Sequence, residues 1–265
     1  MELDGRVALI TGASRGIGRG IAVTMAEAGA DVIVNYQRNQ QGAEQTVAEI
    51  QAIGRRALPF QADVQDWDRV RRMVDSAIGT FGKIDILVNN AGIYQSDPSF
   101  LGEDAIATFH DIMHTHLFGS FYCTQAVLPS MRQQKRGDIL FITSLAGQQF
   151  WAEEWAYATA KNAMSTMARC IAKELSWHGI RVNCIAPGIV ESDMGIDLVM
   201  SWVDAKDPKE LYEQVPFNRL AQPRDVGNLS VFLASDKASH ISGQVIFLDS
   251  GVGPSSLKYV VGKRR

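Results

Sequence analysis

A tyrosine and a lysine four residues apart, Tyr157 and Lys161, could carry out proton transfer. Four residues make about one helical turn, so the phenol and the amine would project from the same helix face. A phenol has a reference pKa of about 10, and a nearby ammonium group lowers that pKa by favouring the phenolate. The hydroxyl of Ser144, near the end of another strand, could hydrogen-bond a substrate oxygen beside the phenol. These residues predict a site for carbonyl and alcohol chemistry, and an ordinary pair on a helix surface is the alternative.

The elements that must position these residues alternate along the chain. Short apolar runs predict strands over residues 7–10, 31–35, 57–61, 84–88, 137–143, 181–185 and 244–248, and helical periodicity predicts helices over 17–28, 42–53, 67–81, 109–131, 156–175 and 224–233. This alternation favours βαβ units and a parallel sheet. Right-handed crossovers then give an α/β fold with a doubly wound sheet of about seven strands, helices on both faces, and ligands at the carboxyl ends of the strands.

We expect one domain over residues 1–265, since no linker or repeat divides the chain. The segment 188–219 is too long for an ordinary connection and carries several apolar and aromatic residues. It is predicted to form a helical lid over the substrate, inserted within the domain.

Composition excludes several classes of function. The net charge is −3, with 46% hydrophobic and 21% charged residues, which gives no electrostatic case for binding nucleic acid or an anionic membrane. No apolar run approaches the roughly 20 residues of a membrane span, and the first ten residues do not resemble a signal peptide. The three cysteines show neither metal-ligand spacing nor an even count for disulfides. We therefore expect a cytoplasmic protein with no catalytic metal.

A glycine-rich turn, Thr11-Gly12-Ala13-Ser14-Arg15-Gly16-Ile17-Gly18, joins the first strand to the first helix. Glycines there allow a tight turn, close approach of a pyrophosphate, and close packing of helix on strand. The helix N-terminus supplies unpaired N–H groups and a positive dipole for phosphate. The strand–turn–helix context predicts a dinucleotide-binding (Rossmann) domain.

The turn has the spacing T-G-x-x-x-G-x-G. Together with Asn89-Asn90-Ala91-Gly92 after the fourth strand, Ser144, Tyr157-x-x-x-Lys161, and Pro187-Gly188 after the sixth strand, it resembles the short-chain dehydrogenase/reductase family over about residues 7–251. Within that family the chain looks like glucose or polyol dehydrogenases and 3-oxoacyl reductases. The resemblance implies hydride transfer between NAD(P) and a carbonyl or secondary alcohol. Ser144 would orient the substrate oxygen, Tyr157 would act as acid and base, and Lys161 would lower the tyrosine pKa.

The resemblance and the turn also imply a set of cofactor contacts. They are Gly12, Ser14, Arg15, Gly16, Ile17 and Gly18 at the phosphates; Asn35, Tyr36 and Arg38 after the second strand; Asp63 and Val64 at the adenine; Asn90, Ala91 and Gly92 at the adenosine ribose; and Tyr157, Lys161, Pro187, Gly188, Ile189 and Ser192 at the nicotinamide end.

The choice between NAD and NADP depends on the end of the second strand, where a carboxylate would bind the ribose 2′-hydroxyl and repel a 2′-phosphate. This chain has Asn35-Tyr36-Gln37-Arg38 and no acid there. Arg15 and Arg38 could pair with a phosphate, so NADP is preferred and NAD is the alternative. Both arginines could also be solvated surface charges.

His116 departs from the family pattern. It stands in the run His114-Thr115-His116-Leu117-Phe118-Gly119, where many members carry an asparagine that kinks the helix and holds a water in a proton relay to the lysine. An imidazole can bind the same water and titrates near neutrality. We therefore expect His116 to belong to the catalytic group, with a packed histidine as the alternative.

The predicted substrate contacts follow the NNAG turn, precede the tyrosine, or lie in the lid; they are Tyr94, Ala146, Phe150, Trp151 and Met194. The stretch 146–155 mixes two tryptophans with amides and acids, including Gln148, Gln149, Glu153 and Glu154, which could hydrogen-bond hydroxyl groups. A small carbonyl compound, sugar or polyol is therefore favoured. A 3-oxoacyl thioester is the alternative substrate, and subunit contact is a competing use of the stretch.

A non-catalytic NADP-binding sensor or structural subunit is the alternative to an enzyme. Such relatives usually lose the tyrosine or the lysine, and both are present here. The resemblance further implies a homotetramer joined through the helices that begin at Phe109 and Ala156.

Overall fold

The predicted parallel sheet is confirmed in a computed structural model that describes residues 1–94, 99–148, 154–200, 212 and 215–251. Its seven strands lie in the order β3-β2-β1-β4-β5-β6-β7, and every pair is parallel. They are β1 Val7–Ile10, β2 Asp31–Tyr36, β3 Ala57–Gln61, β4 Ile86–Asn89, β5 Gly137–Ile142, β6 Ile180–Pro187 and β7 Val245–Leu248. The direction of winding reverses between β1 and β4, and a crevice forms there at the carboxyl ends of the strands.

Helices cover both faces of the sheet. They are α1 Gly16–Glu27, α2 Gln40–Ala52, α3 Trp67–Phe81, α4 Ala105–Met113, α5 Gly119–Gln134, α6 Trp155–Leu175, α7 Asp193–Met200 and α8 Pro223–Ala234. Helices α1, α2 and α8 share one buried apolar cluster with the sheet, and α3, α5 and α6 share the other. Successive strand residues alternate between the two: Ala8 and Ile10 belong to the first cluster, Val7 and Leu9 to the second. Both faces are therefore buried, as the continuous apolar strands require.

The long helix predicted over residues 109–131 is wrong as a single element. The structure divides it into α4, a π-helical turn over His114–Phe118, and α5. A π turn inserts one residue into the helical repeat and turns the following side chains to a new direction. Gly119, just after it, lies against Val64, and a Cβ at position 119 would meet Cγ2 of Val64 at 2.6 Å. The irregular turn thus reflects tertiary packing at the carboxyl ends of the strands.

Part of the segment predicted as a lid lies within the described residues. Helix α7 and a short 3-10 turn, Pro216–Asn218, belong to it. Val190, near the start of the segment, forms a parallel bridge with Ala221, just beyond its end, and the hydroxyl of Tyr212 donates to Oε1 of Glu191 at 2.9 Å. Across the described ranges, no helix is both long and apolar enough to cross a bilayer.

Candidate active site

The turn after β1 needs glycine for backbone and steric reasons. Gly12 and Gly16 have φ values of +63° and +54°, in the left-handed region that favours glycine. Gly18 needs it because a Cβ there would collide with the carbonyl oxygen of Gly12 and lie 2.5 Å from Nδ2 of Asn90. The first helical turn therefore packs directly on the strand end, with no room for a side chain between them.

Thr11 and Asn90 fasten this turn to the end of β4. The Thr11 hydroxyl oxygen accepts hydrogen bonds from the N–H groups of Asn90 and Ala91, both at 2.9 Å. The Asn90 side-chain amide donates to the carbonyl oxygens of Thr11 at 2.8 Å and Gly12 at 3.2 Å. Thr11 was not among the predicted site residues. The signal that could have found it is a hydroxyl residue placed directly between a buried strand and the first glycine.

The residues present fit the phosphates of a dinucleotide. Helix α1 begins at Gly16 without a side-chain cap, whereas α2 and α3 are capped by the side chains of Asn39 and Asp66. The first N–H groups of a helix need a partner from outside it, and an anion is a suitable one. The side chain of Arg15, the residue before α1, is 70% exposed, and its Nη1 lies 3.8 Å from a carboxylate oxygen of Asp193.

Asn35 was predicted to touch the cofactor, and the structure gives it a different position. Its side chain is 1% exposed and lies behind the glycine turn. Its Oδ1 accepts from the N–H of Gly12 at 3.2 Å, and its Nδ2 donates to the carbonyl oxygens of Ala62 at 3.0 Å and Phe60 at 3.4 Å. Because these bonds engage the whole amide, Asn35 holds the turn in place. Arg38 is exposed beside it.

The other predicted cofactor residues lie at or just beyond the carboxyl ends of strands. Oδ2 of Asp63, beyond β3, accepts from the side chain of Gln37 at 2.6 Å. The N–H of Gly188, beyond β6, donates to the carbonyl oxygen of Leu248 at 2.9 Å, and Oγ of Ser192 accepts from the N–H of Gly195 at 3.2 Å. The remaining residues of this set are Ser14, Ile17, Tyr36, Val64, Ala91, Gly92, Pro187 and Ile189.

The structure brings Ser144, Tyr157 and Lys161 together. Tyr157 and Lys161 share one face of α6, where Nζ of Lys161 lies 5.5 Å from the centre of the Tyr157 ring. Ser144 follows β5 and hydrogen-bonds the phenol of Tyr157. The turn after Ser144 is tied to α6 because Nδ2 of Asn162 donates to the carbonyl oxygen of Gly147 at 2.7 Å. The hydroxyl and the phenol are therefore set by two elements that are themselves joined.

The electrostatics of the pair differ from the sequence prediction. Burial raises the pKa of Tyr157, with smaller increases from the charges of Glu154 and Tyr94, and the hydrogen bond with Ser144 lowers it. Burial also lowers the pKa of Lys161 to about 7. Lys161 was predicted to lower the pKa of Tyr157, but the net effect of the surroundings is to raise that pKa. Because burial holds the pKa of Tyr157 above its ordinary value, its phenol is protonated near neutral pH and can donate to a carbonyl oxygen.

His116 lies against the catalytic tyrosine from the π-helical turn. It is 1% exposed, and its ring meets that of Tyr157 edge-on at a centroid distance of 5.3 Å. Its Nε2 lies 2.8 Å from the carbonyl oxygen and 3.2 Å from the nitrogen of Ile93. Gly92 makes room for it, because a Cβ at position 92 would collide with Cε1 of the imidazole.

Burial and the charge of Lys161 hold the pKa of His116 well below its usual value, and the hydrogen bond with Ile93 opposes them. The expectation that this imidazole titrates near neutrality is therefore wrong for this structure. A neutral ring bonded to a backbone group can position its neighbours without changing charge.

Aromatic side chains border the phenol. Tyr94 meets Tyr157 edge-on at 5.5 Å, and Trp155 stacks on Phe109 at 5.5 Å and meets Phe100 edge-on at 5.0 Å. Ala146 lies in the turn after Ser144, and Met194 is a 40% exposed residue of α7. The predicted contacts Phe150 and Trp151 lie outside the described residues. In the part of the chain that the structure describes, no three His, Cys, Asp or Glu side chains are grouped to hold a metal.

The parallel sheet, the phosphate-binding turn and the Ser–Tyr–Lys group define a class of nicotinamide-dependent oxidoreductases. The family model described as short chain dehydrogenase matches residues 6–200, and the chain belongs to this family. It is accordingly an NAD(P)-dependent oxidoreductase that acts on CH–OH groups and interconverts a carbonyl and an alcohol by hydride transfer.

Enzymes of two kinds are among the similar proteins. The 3-oxoacyl-[acyl-carrier-protein] reductase of Staphylococcus epidermidis is 40% identical over 245 residues, which cover 92% of this chain and 98% of the relative. The 7α-hydroxysteroid dehydrogenase of Escherichia coli is 37% identical over 251 residues, 95% of each chain. A solved 7α-hydroxysteroid dehydrogenase complexed with NADH and 7-oxo glycochenodeoxycholic acid superposes with a TM-score of 0.86 at 36% identity, covering 96% of both chains.

Proposed function

We propose that this protein is an NADP(H)-preferring reductase and dehydrogenase of a small carbonyl compound, sugar or polyol. The observation that carries the proposal is the hydrogen bond between Ser144 and Tyr157, with the buried amine of Lys161 one helical turn away. This arrangement gives one substrate oxygen two hydroxyl donors, which is what reduction of a ketone to a secondary alcohol requires.

A nicotinamide cofactor, when bound, supplies the hydride. Residues of this chain handle the oxygen: Ser144 donates a hydrogen bond to the carbonyl, and Tyr157 gives its proton to the developing alkoxide. In the oxidative direction Tyr157 accepts the alcohol proton instead. Lys161 would hold the nicotinamide ribose hydroxyls, and the positive charge that it keeps favours the phenolate. His116 would keep Ile93 and the Tyr157 ring in position.

NADP preference is supported by Arg15, in the glycine turn, and Arg38, just beyond β2, which are both exposed. Among the residues that the structure describes, the carboxylate paired with Arg15 is that of Asp193, 3.8 Å away and exposed, so Arg15 can turn to a 2′-phosphate at little cost. No acidic residue follows β2 directly, so nothing in that position repels a phosphate.

A 3-oxoacyl thioester is a second candidate substrate. It is favoured by the 40% identity with a 3-oxoacyl-[acyl-carrier-protein] reductase over nearly the whole of both chains. A non-catalytic NADP-binding role is disfavoured because Tyr157 and Lys161 are both in place. The discriminating experiment is a turnover screen with NADPH and NADH against sugars, polyols, aromatic ketones and 3-oxoacyl thioesters. Binding of NADPH without turnover of any of these compounds would overturn the proposal.

We also propose a cytoplasmic homotetramer with one domain and a lid over residues 188–219. All three cysteines are free, which suits a reducing compartment. The middle helices present apolar rings to solvent: Phe118 is 40% and Phe121 43% exposed. Such rings are suited to burial between subunits. Light scattering of the purified protein tests the tetramer, and a monomeric mass would contradict it.

A further inference from the structure

The direction of the Ser144 hydroxyl depends on the short turn that follows it, Leu145–Gln148. The N–H of Ala146 donates to Oγ of Ser144 at 3.1 Å, and the N–H of Gly147 donates to the Ser144 carbonyl oxygen at 3.1 Å. Because Oγ accepts from the backbone of the turn, the direction left for its proton depends on where the turn lies. The position of the turn therefore sets whether the hydroxyl can reach the same substrate oxygen as the phenol of Tyr157.

Helix α6 fixes this turn from outside. The backbone of Gly147 packs on the helix so closely that a Cβ at position 147 would lie 3.1 Å from the backbone nitrogen of Asn162 and 3.3 Å from Cβ of Lys161. Across the same contact, Nδ2 of Asn162 donates to the carbonyl oxygen of Gly147 at 2.7 Å. A hydrogen bond has a preferred direction as well as a preferred length, so this one resists sliding of the turn along the helix as well as separation from it.

Asparagine is a costly residue at this place in a helix. Asn162 lies in the interior of α6, between Lys161 and Ala163. Asparagine forms helices less readily than alanine, because its amide competes for nearby backbone groups. Here the donor side of the amide is used outside the helix, on Gly147, and Oδ1 faces the hydroxyl of Thr166 at 3.5 Å. The helix thus carries a polar residue whose donor serves the turn after the serine.

We propose that Asn162 is a positioning residue, which acts on the reaction through Ser144 by fixing the turn that orients the serine hydroxyl. Lys161 and Asn162 are neighbours in the chain and point about 100° apart around the helix axis. One helix therefore carries the phenol of Tyr157, the amine beside it and the donor that holds the serine turn. The proposal rests on the proposed role of Ser144 as a donor to the substrate oxygen, and it does not depend on the proposed cofactor or substrate class.

A double-mutant cycle with Ser144→Ala tests the proposal. Asn162→Leu keeps the branched shape of the side chain and removes the donor. Asn162→Asp keeps its size and places a carboxylate against the Gly147 carbonyl oxygen, so it serves if the leucine variant does not fold. Thr166→Val is the matched control one turn along α6, at an exposed position, since it removes the hydroxyl that faces Oδ1 of Asn162.

Reduction of dihydroxyacetone, cyclohexanone and acetoacetyl-CoA by NADPH gives kcat and KM for each variant, and thermal melting and NADPH titration show whether it is folded. We expect Asn162→Leu to lower kcat about 5- to 20-fold, with the KM for the ketone and the Kd for NADPH within about twofold, because Ser144 acts mainly in the transition state. In the Ser144→Ala protein the same change should lower kcat less than about twofold, since the group through which Asn162 acts is gone. Thr166→Val should equal the wild-type protein.

The cycle separates this inference from the proposed function. Equal losses from Asn162→Leu in the two backgrounds would show that Asn162 only supports the fold, and an unchanged kcat in Asn162→Leu would show that the serine needs no such support; either result overturns the inference. If Ser144→Ala alone leaves kcat unchanged, the proposed role of Ser144 fails and the inference fails with it. Reduction of acetoacetyl-CoA alone would contradict the proposed substrate class, and a loss confined to the Ser144 background would still support Asn162.

Discussion

Lys161 donates a hydrogen bond from Nζ to the carbonyl oxygen of Ile142 at 2.9 Å, in a position that is 4% exposed to solvent. The amine thus bridges the end of β5 and the middle of α6. Such an amine is held in place whether or not it is charged, but only its charged form suffers from burial. The buried position places the amine beside the Tyr157 ring, and the cost of burying its charge should appear in the free energy of unfolding.

The first prediction follows from the pKa of Lys161, which burial lowers from 10.5 to about 7. Between these values the unfolded chain binds a proton that the folded protein does not. The free energy of unfolding should therefore rise with pH from about 7 to 10, by up to about 1.4 kcal/mol per pH unit from this group. The gain is lost as pH falls from about 10 to 7, and below 7 the amine is charged in both states, so this group causes no further change.

Urea unfolding at pH 6, 7, 8 and 9 measures this effect against Lys161→Met, which lacks the titrating group. The wild-type protein should gain stability relative to the variant as pH rises. Lys173→Met, at an exposed position of the same helix, is the control for the loss of a lysine from α6. A constant difference between the wild-type protein and Lys161→Met would contradict the lowered pKa.

The second prediction concerns proton donation. Tyr157→Phe should lower kcat for ketone reduction by roughly 10²- to 10⁴-fold, because it removes the proton donor and keeps the ring. NADPH binding, followed by fluorescence titration, should change little. Ser144→Ala should act in the same direction with a smaller loss, since one donor to the oxygen remains. Tyr122→Phe is the matched control on α5, and its rate should equal that of the wild-type protein. A Tyr157→Phe protein with normal turnover would remove Tyr157 from the mechanism.

Helices and strands whose bounds are set by neighbouring residues in the chain could be predicted from the sequence. Helix α3, Trp67–Phe81, has its predicted bounds, because Asp66 caps its N-terminus and Gly82 ends it with φ of +81°. Strand β1, Val7–Ile10, is likewise a continuous apolar run closed by Thr-Gly. The π-helical turn could not be predicted in this way, because its cause is the fit of His116 under Gly92 and of Gly119 on Val64.

The same distinction holds within the site. The glycine turn and Ser144, Tyr157 and Lys161 could be found because side-chain type and spacing identify them. The role of Asn35 could not, because its partners are backbone groups of Gly12, Phe60 and Ala62. A backbone carbonyl such as that of Ile142 has no sequence signature at all. The net direction of the Tyr157 pKa depends on burial, which only the folded chain defines.

The third prediction tests the close packing of the glycine turn. Gly18→Ala would force its new Cβ against the carbonyl oxygen of Gly12 and the amide of Asn90, so the turn must open. We expect the Kd for NADPH to rise at least about tenfold and the melting temperature to fall. Gly79→Ala is the control, because a Cβ at this helical position meets nothing within 4 Å. It should stabilise the protein by about 0.5–1 kcal/mol and leave NADPH binding unchanged. If Gly18→Ala and Gly79→Ala bind NADPH with equal affinity, the close packing of Gly18 against the carbonyl oxygen of Gly12 is not needed for cofactor binding.

The fourth prediction concerns cofactor choice. Replacing both Arg15 and Arg38 by Ala should raise the Michaelis constant for NADPH about 10- to 100-fold, because two charged partners of the 2′-phosphate are removed. The constant for NADH should change less than about threefold. Arg71→Ala, at an exposed position of α3, controls for a general loss of positive charge. If the double variant affects NADPH and NADH equally, the assignment of NADP preference is wrong.

The fifth prediction concerns His116, whose Nε2 faces both the carbonyl oxygen and the N–H of Ile93. A single ring nitrogen can serve only one of them at a time, whereas an asparagine amide can donate to one and accept from the other. His116→Asn should therefore keep activity within about threefold of the wild-type value, with an unchanged pH profile, since the imidazole is neutral. His116→Ala should lose more activity, because nothing then holds Ile93 beside Tyr157. The profiles of kcat and kcat/KM from pH 5 to 9 provide the measurement. A limb of the profile that moves in His116→Asn would show that the imidazole titrates during turnover, and that it relays protons to Lys161 after all.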